Sequence, residues 1–142
     1  MNAGKPATMS LAEPVDPLAW MHEFAERYVK AWNDHDLEAI LSMHTPDSGF
    51  WLHGAHGLQK WDGLEGCREA FDFLLRALPD QIIEPYSSVV REDFLVAHSK
   101  VTATLALPFP MAGRTYQPTG RVMSFERLYL NCFHSATALK YR

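Results

Sequence analysis

The sequence is short of the features that mark several large classes of protein. Its 142 residues include two cysteines, Cys67 and Cys132, too few for a disulfide framework. Both are read as reduced thiols, which points to the cytoplasm. No apolar run approaches the ~20 residues of a membrane helix, and the N-terminus has no apolar stretch of signal-peptide length. Lys and Arg number 13 against 17 Asp and Glu, a formal net charge of -4. The basic residues are scattered, whereas a nucleic-acid footprint needs them clustered. A phosphate loop, a dinucleotide fingerprint, an internal repeat and a low-complexity tract are all missing.

What remains is ordinary globular composition, 47% apolar and 21% charged, at a length that suits one domain with a sizeable core. Residues 1–17 carry Pro6, Pro14 and Pro17 among small and polar residues and read as a mobile arm. Residues 18–142 read as the domain.

Asp16-Pro17 sets up a helix start, with Asp as cap and Pro in the first turn. Trp20, Phe24, Tyr28, Val29 and Trp32 then recur at helical spacing, with Glu23, Glu26, Arg27 and Lys30 on the other side. Asn33 to Asp36 breaks the helix, and Asp36 can cap a short second one through Leu37, Ile40, Leu41 and Met43. Thr45 to Gly49 is turn chemistry. Phe50 to His53 reads as a short strand, His53 to Gly57 as a loop, and Leu64 to Leu78 as a third helix ended by Pro79-Asp80.

Beyond Asp80 the period changes. Gln81 to Val90, Phe94 to Leu107 and Val122 to Leu130 read as strands, with Ala136 to Tyr141 as a short fourth. Leu95, Ala97, Ser99, Val101, Ala103 and Leu105 share one face of the long strand. Phe94, Val96, His98, Lys100, Thr102 and Thr104 share the other. Pro108 to Gly120 reads as an irregular hairpin connection. Helices followed by a run of strands imply α+β architecture, with the N-terminal helices packed in the concave face of a curved antiparallel sheet that forms an open cone.

This order resembles the SnoaL-like polyketide cyclase family of the nuclear-transport-factor-2-like superfamily. Phe24 to Leu41 resembles its opening helix pair. Gly63 to Phe73 with Leu78-Pro79-Asp80 resembles its third helix, and Gln117 to Arg121 with Phe125 its Pro-Thr-Gly-Arg turn and following strand. The resemblance implies a small-molecule pocket, cofactor-free proton-transfer chemistry and sheet-to-sheet homodimers. It covers residues 18–131. The chain departs from the pattern at its end, where Asn131 to Ser135 lacks the expected glycine turn.

The resemblance places His53 close to where ketosteroid isomerase has its general base, and a neutral imidazole can take an acidic C–H proton. His53 and His56 are three apart, but no further ligands stand at metal-site spacing. Nine residues past Gly120, where SnoaL-like cyclases carry an Asp, stands Tyr129. It can donate to an oxyanion but is a poor base at neutral pH. Glu126 belongs on the opposite strand face from Tyr129. Tyr28, Trp32, Trp61 and His98 are candidates to line a pocket for a small hydrophobic carbonyl compound, with core packing as the plainer alternative for the aromatics. Two functions therefore stay open: a cofactor-free cyclase or isomerase with His53 as base and Tyr129 or Tyr28 as oxyanion donor, and a non-catalytic ligand-binding or dimerising module.

Overall fold

A computed structural model describes residues 16–54, 57–91, 93–111 and 113–132, with side chains described as far as residue 130. Most of the arm expected at residues 1–17, His56, and the strand expected at Ala136 to Tyr141 lie outside the described residues.

Helix α1 spans Pro17–Asn33 and α2 spans Leu37–Ser42. Each starts on the aspartate that the sequence offers. The Asp16 carboxylate accepts from the Leu18 N–H at 3.0 Å, and Asp36 accepts from the Ala39 N–H at 3.0 Å. These bonds satisfy N–H groups that the first helical turn leaves free. Strands β1 (Gly49–Gly54) and β2 (Gly57–Asp62) form an antiparallel hairpin. The sequence pattern gives one strand, Phe50 to His53, and a loop ending at Gly57; β2 adds a second strand over residues that the pattern leaves unassigned. Leu58-Gln59-Lys60-Trp61 alternates sidedness without a strong apolar stripe, so its pairing with β1 is what makes it a strand.

Helix α3 runs Gly63–Ala77. Its first residue has φ 71°, a left-handed conformation that glycine adopts without strain. One turn on, a Cβ at Gly66 would sit 3.1 Å from the Trp61 backbone, so glycine lets the helix fold back onto the hairpin. Asp62 occupies the cap position but makes no side-chain cap bond.

The main sheet holds β3 (Ile82–Val90), β4 (Phe94–Thr104) and β7 (Val122–Cys132) in the order β3-β4-β7, all antiparallel. Strand β4 stops three residues short of the expected Leu107. The connection to β7 is itself a small hairpin, β5 (Phe109–Met111) with β6 (Arg114–Tyr116). In β3 the pairing slips between Pro85 and Ser87, leaving Tyr86 as an extra residue. Pro85 has no N–H to offer a ladder, and β3 is an edge strand, where bulge and proline are both tolerated.

Alternation along β4 follows the expected code. Leu95, Ser99, Val101 and Ala103 are buried on the helix-facing side, and Val96, His98, Lys100 and Thr102 face away. The core joins Met21, Phe24, Tyr28, Ala31 and Trp32 of α1 to Ile40 and Leu41 of α2, to Cys67, Ala70 and Phe71 of α3, and to Ile83, Leu95 and Val101 of the sheet. This is the open sheet with helices on its inner face that the pattern implied.

The last residue of α1 ties helix to sheet. The Asn33 side-chain amide donates to the Ile83 carbonyl at 3.0 Å, and its oxygen accepts from the Ile83 N–H at 2.8 Å. The amide thereby mimics a neighbouring strand. Asn33→Ala should lower stability by about 1–3 kcal/mol, since both peptide groups lose their partner. Urea denaturation reads this as a lower midpoint at unchanged slope.

Candidate functional site

Strand β7 decides what the inner face of the sheet presents. Its register against β4 places Met123 opposite Ala103, Phe125 opposite Val101, Arg127 opposite Ser99 and Tyr129 opposite Ala97. All four therefore face the helices. Glu126 faces the other way and bonds His98 at 3.1 Å, as period-two alternation required. Helix cover thins along β7. Tyr129 is half-buried and packs on the core, whereas Phe125 is 41% exposed although it lies on the inner face. Phe125, Arg127 and Tyr129 thus floor a trough-like stretch of inner face that is more exposed at Phe125 than at Tyr129.

The wall of the trough comes from α1 and from the segment after α2. Tyr28 is buried, with its ring stacked on Tyr129 at 5.4 Å between centroids. Its hydroxyl meets His44 Nε2 at 2.9 Å. His44 follows α2 by two residues and rests against Phe71, 5.2 Å between centroids. Trp32 and Phe50 meet Phe71 edge-on, and these rings seal the base of the site. The Arg127 guanidinium lies over the Tyr129 ring, 5.6 Å from its centre.

This setting moves the protonation of every polar group in it. Burial pushes His44 down to about 4, so the imidazole is neutral at physiological pH. Burial raises the Tyr28 phenol, opposed by hydrogen bonding to Tyr129 and Trp32. Burial raises Tyr129 further, helped by the neighbouring Tyr28. Both phenols therefore stay protonated and able to donate. Burial lowers Arg127, and the two phenols oppose that change.

The six residues singled out in the sequence separate into four places. Tyr28, Trp32 and Tyr129 come together in this site. Trp61 stacks on Phe50 at 5.6 Å and lines two outer depressions beside α3, of about 760 and 320 Å³. Neither depression is lined by Tyr28, His44, Arg127 or Tyr129. His53 is exposed on the far face of the β1–β2 hairpin, paired with Leu58 in register and flanked by Trp51. Strand alternation turns it away from Phe50 and Leu52, which face α3. His98 lies on the outer sheet face with Glu126, and Tyr86 meets it edge-on at 5.1 Å. That settles the sidedness of β4 against an inward His98.

Sequence reasoning missed His44 and Arg127. Nothing in the spacing joins His44 to Tyr28, sixteen residues earlier. Arg127 did leave a signal: it stands two residues before Tyr129, hence on the same strand face.

With this geometry in place, comparison assigns the class. The SnoaL-like domain family matches residues 25–133, and the chain belongs to it. Among solved structures, AclR of Streptomyces galilaeus, a hydroxylase candidate, is 25% identical with a TM-score of 0.64, over 84% of this chain and 83% of that one. A SnoaL-like polyketide cyclase candidate from Jannaschia sp. CCS1 is 18% identical with a TM-score of 0.69, over 87% and 84%. An uncharacterised cystatin-fold protein from Novosphingobium aromaticivorans is 18% identical with a TM-score of 0.60, over 87% and 92%. No curated protein matches the chain. Among the described residues no helix is long and apolar enough to cross a membrane.

The low His44 value has a measurable consequence. An unfolded histidine titrates near 6.5, so between pH 6.5 and 4 the unfolded chain takes up a proton that the folded chain refuses. The contribution is full above pH 6.5 and is lost as pH falls toward 4. It should amount to about 2–3 kcal/mol. Urea midpoints measured across that range should show the loss in the wild type and a much smaller one in His44→Gln.

Proposed function

We propose that the chain binds a flat, hydrophobic carbonyl compound in the β7 trough and moves a proton on it without a cofactor. The observation that carries this reading is the Tyr28–His44 hydrogen bond, held beside Tyr129 in an aromatic wall that is more exposed toward Phe125. The rings offer stacking surface, and the phenols are protonated donors. Cyclase and hydroxylase candidates among the structural neighbours support small-molecule chemistry by analogy of fold.

In this scheme the Tyr129 hydroxyl holds the substrate carbonyl oxygen. The Tyr28 oxygen takes a proton from the carbon beside that carbonyl while its own proton passes to His44 Nε2. The products are an enolate bonded to Tyr129 and an imidazolium at His44. The enolate charge compensates for protonating a desolvated imidazole. His44 thus takes the part that the sequence assigned to His53, with Tyr28 as the relay and Tyr129 as the oxyanion donor.

One observation favours the second reading, a non-catalytic ligand-binding module. Tyr129 stands where the resemblance expects Asp, and among the described residues no carboxylate bonds Tyr28, His44, Arg127 or Tyr129.

A thermal-shift panel of steroids, fused-ring aromatic ketones and small ketones separates these readings. A ligand at about 100 times its Kd adds roughly 2.7 kcal/mol. One chemical class should raise the melting temperature of the wild type, and that class should then be assayed for turnover. Tyr28→Phe and His44→Gln should each lower kcat by about 10²–10⁴-fold, and His53→Ala by less than about threefold. A large loss in His53→Ala alone would return the base to His53. Binding without turnover would leave the module.

The outer face of the main sheet offers a surface for a second copy. Val89, Leu128 and Leu130 are exposed there, beside the His98–Glu126 pair. We propose a homodimer through this face, the arrangement implied by the resemblance. Sedimentation at tens of micromolar should show a dimer for the wild type and a monomer for Leu128→Glu.

A further inference from the structure

Arg127 is a half-buried cation with no carboxylate partner among the described residues. It is the charged member of the inner face of β7, where its strand neighbours are Phe125 and Tyr129 and its cross-strand neighbour is the buried Ser99. Its Nε is shielded from solvent and has no hydrogen-bond partner among the described residues. The titratable side chains beside it are the phenols Tyr129 and Tyr28, both protonated and neutral. Contact with the Tyr129 ring offsets part of the lost hydration. A guanidinium stays charged even when its environment opposes it, and an unpaired buried charge is costly to keep.

Position makes this cost informative. Along the strand Arg127 lies between Tyr129, the more covered end of this face, and Phe125, the more exposed end. A ligand that stacks on this floor brings its polar substituents alongside Arg127. A planar anionic oxygen group is the partner whose geometry a guanidinium fork matches, and that bond is stronger than any a neutral ligand offers.

We propose that Arg127 recognises an anionic oxygen on the ligand, so that the compound taken by this trough is an aromatic acid, either a carboxylate or an acidic enol ionised at neutral pH. This inference rests on the trough being the ligand site. Arg127 is then a specificity-determining residue whose unpaired charge serves binding at the expense of stability.

Matched probes test it. Naphthoic acid and naphthamide share a shape and differ in charge; hydroxynaphthoquinone and its methyl ether make the same comparison for an acidic enol. Dissociation constants are measured by calorimetry for the wild type, Arg127→Leu, Arg127→Gln and Arg127→Lys. The wild type should bind at least one acid ten or more times tighter than its neutral partner. The pair that shows the preference tells carboxylate from enolate. Arg127→Leu should bring that acid to the level of its partner without weakening the partner, and Arg127→Lys should keep part of the preference. Arg127→Leu should also melt at or above the wild-type temperature; Arg127→Gln serves the binding comparison if the leucine variant does not fold. Equal binding of acid and neutral partner by the wild type, or a preference that survives loss of the cation, overturns the inference and leaves the ligand site standing. Failure of every probe to bind the wild type overturns both.

Discussion

Two hydrogen bonds from one side chain set the frame of this protein. Asn33 ends α1 and clasps both peptide groups of Ile83, a residue buried in the core. The clasp fixes the height of α1 on the sheet. Tyr28 lies five residues back, about 7.5 Å along the helix axis. Its ring therefore arrives opposite Tyr129 on the far strand, and its hydroxyl reaches His44. A helix free to slide by one residue would turn a different side chain toward the sheet, since each residue rotates the face by about 100°. The aromatic wall is thus a consequence of an amide that behaves as a strand.

The site set by this clasp runs against the usual economy of a core. Packing would be served by apolar side chains at positions 28, 44, 127 and 129. The chain instead sets two phenols, an imidazole and a guanidinium there, with Tyr28 buried and the other three half-buried against the aromatic core. Burial opposes charge on each of them, and each responds in the direction its chemistry allows. The imidazole gives up its proton, the phenols hold theirs, and the guanidinium keeps its charge. Groups driven to different protonation states inside one apolar enclosure are how a fold prepares donors and acceptors for a ligand.

Much of the scaffold was legible in the sequence, and the reasons are specific. Asp16-Pro17 and Asp36 announced their helices because a carboxylate before an apolar period has little else to do. The two faces of β4 were legible because Val, Ala and Ser alternate with His, Lys and Thr over eleven residues. Strand β2 was not, because Gln59, Lys60 and Asp62 look like a polar loop until β1 pairs with them. The site was half legible. Tyr28 and Trp32 followed from helix period, and Glu126 was excluded from the inner face by counting. The same count from Tyr129 reaches Arg127. His44 was hidden, since a residue between α2 and a turn carries no period to say which way it points. His53 sits on a strand whose sidedness depends on its partner, and residues 58–62, which supply that partner, carry no strand signal of their own.

The bulge at Tyr86 has a consequence for how β3 encodes its two sides. Before it, the odd positions Ile83 and Pro85 pair with the inward Val101 and Ser99; after it, the even positions Ser88 and Val90 pair with the inward Ala97 and Leu95. One strand thus carries two phases of the same period-two code, joined at a single residue. Removing Tyr86 would bring the phases into step without turning any side chain over, because Ser87 would then follow Pro85 directly in the ladder and Ser88 and Val90 would still face inward. What such a deletion would take away is the local bend and extra twist that the bulge gives this edge strand.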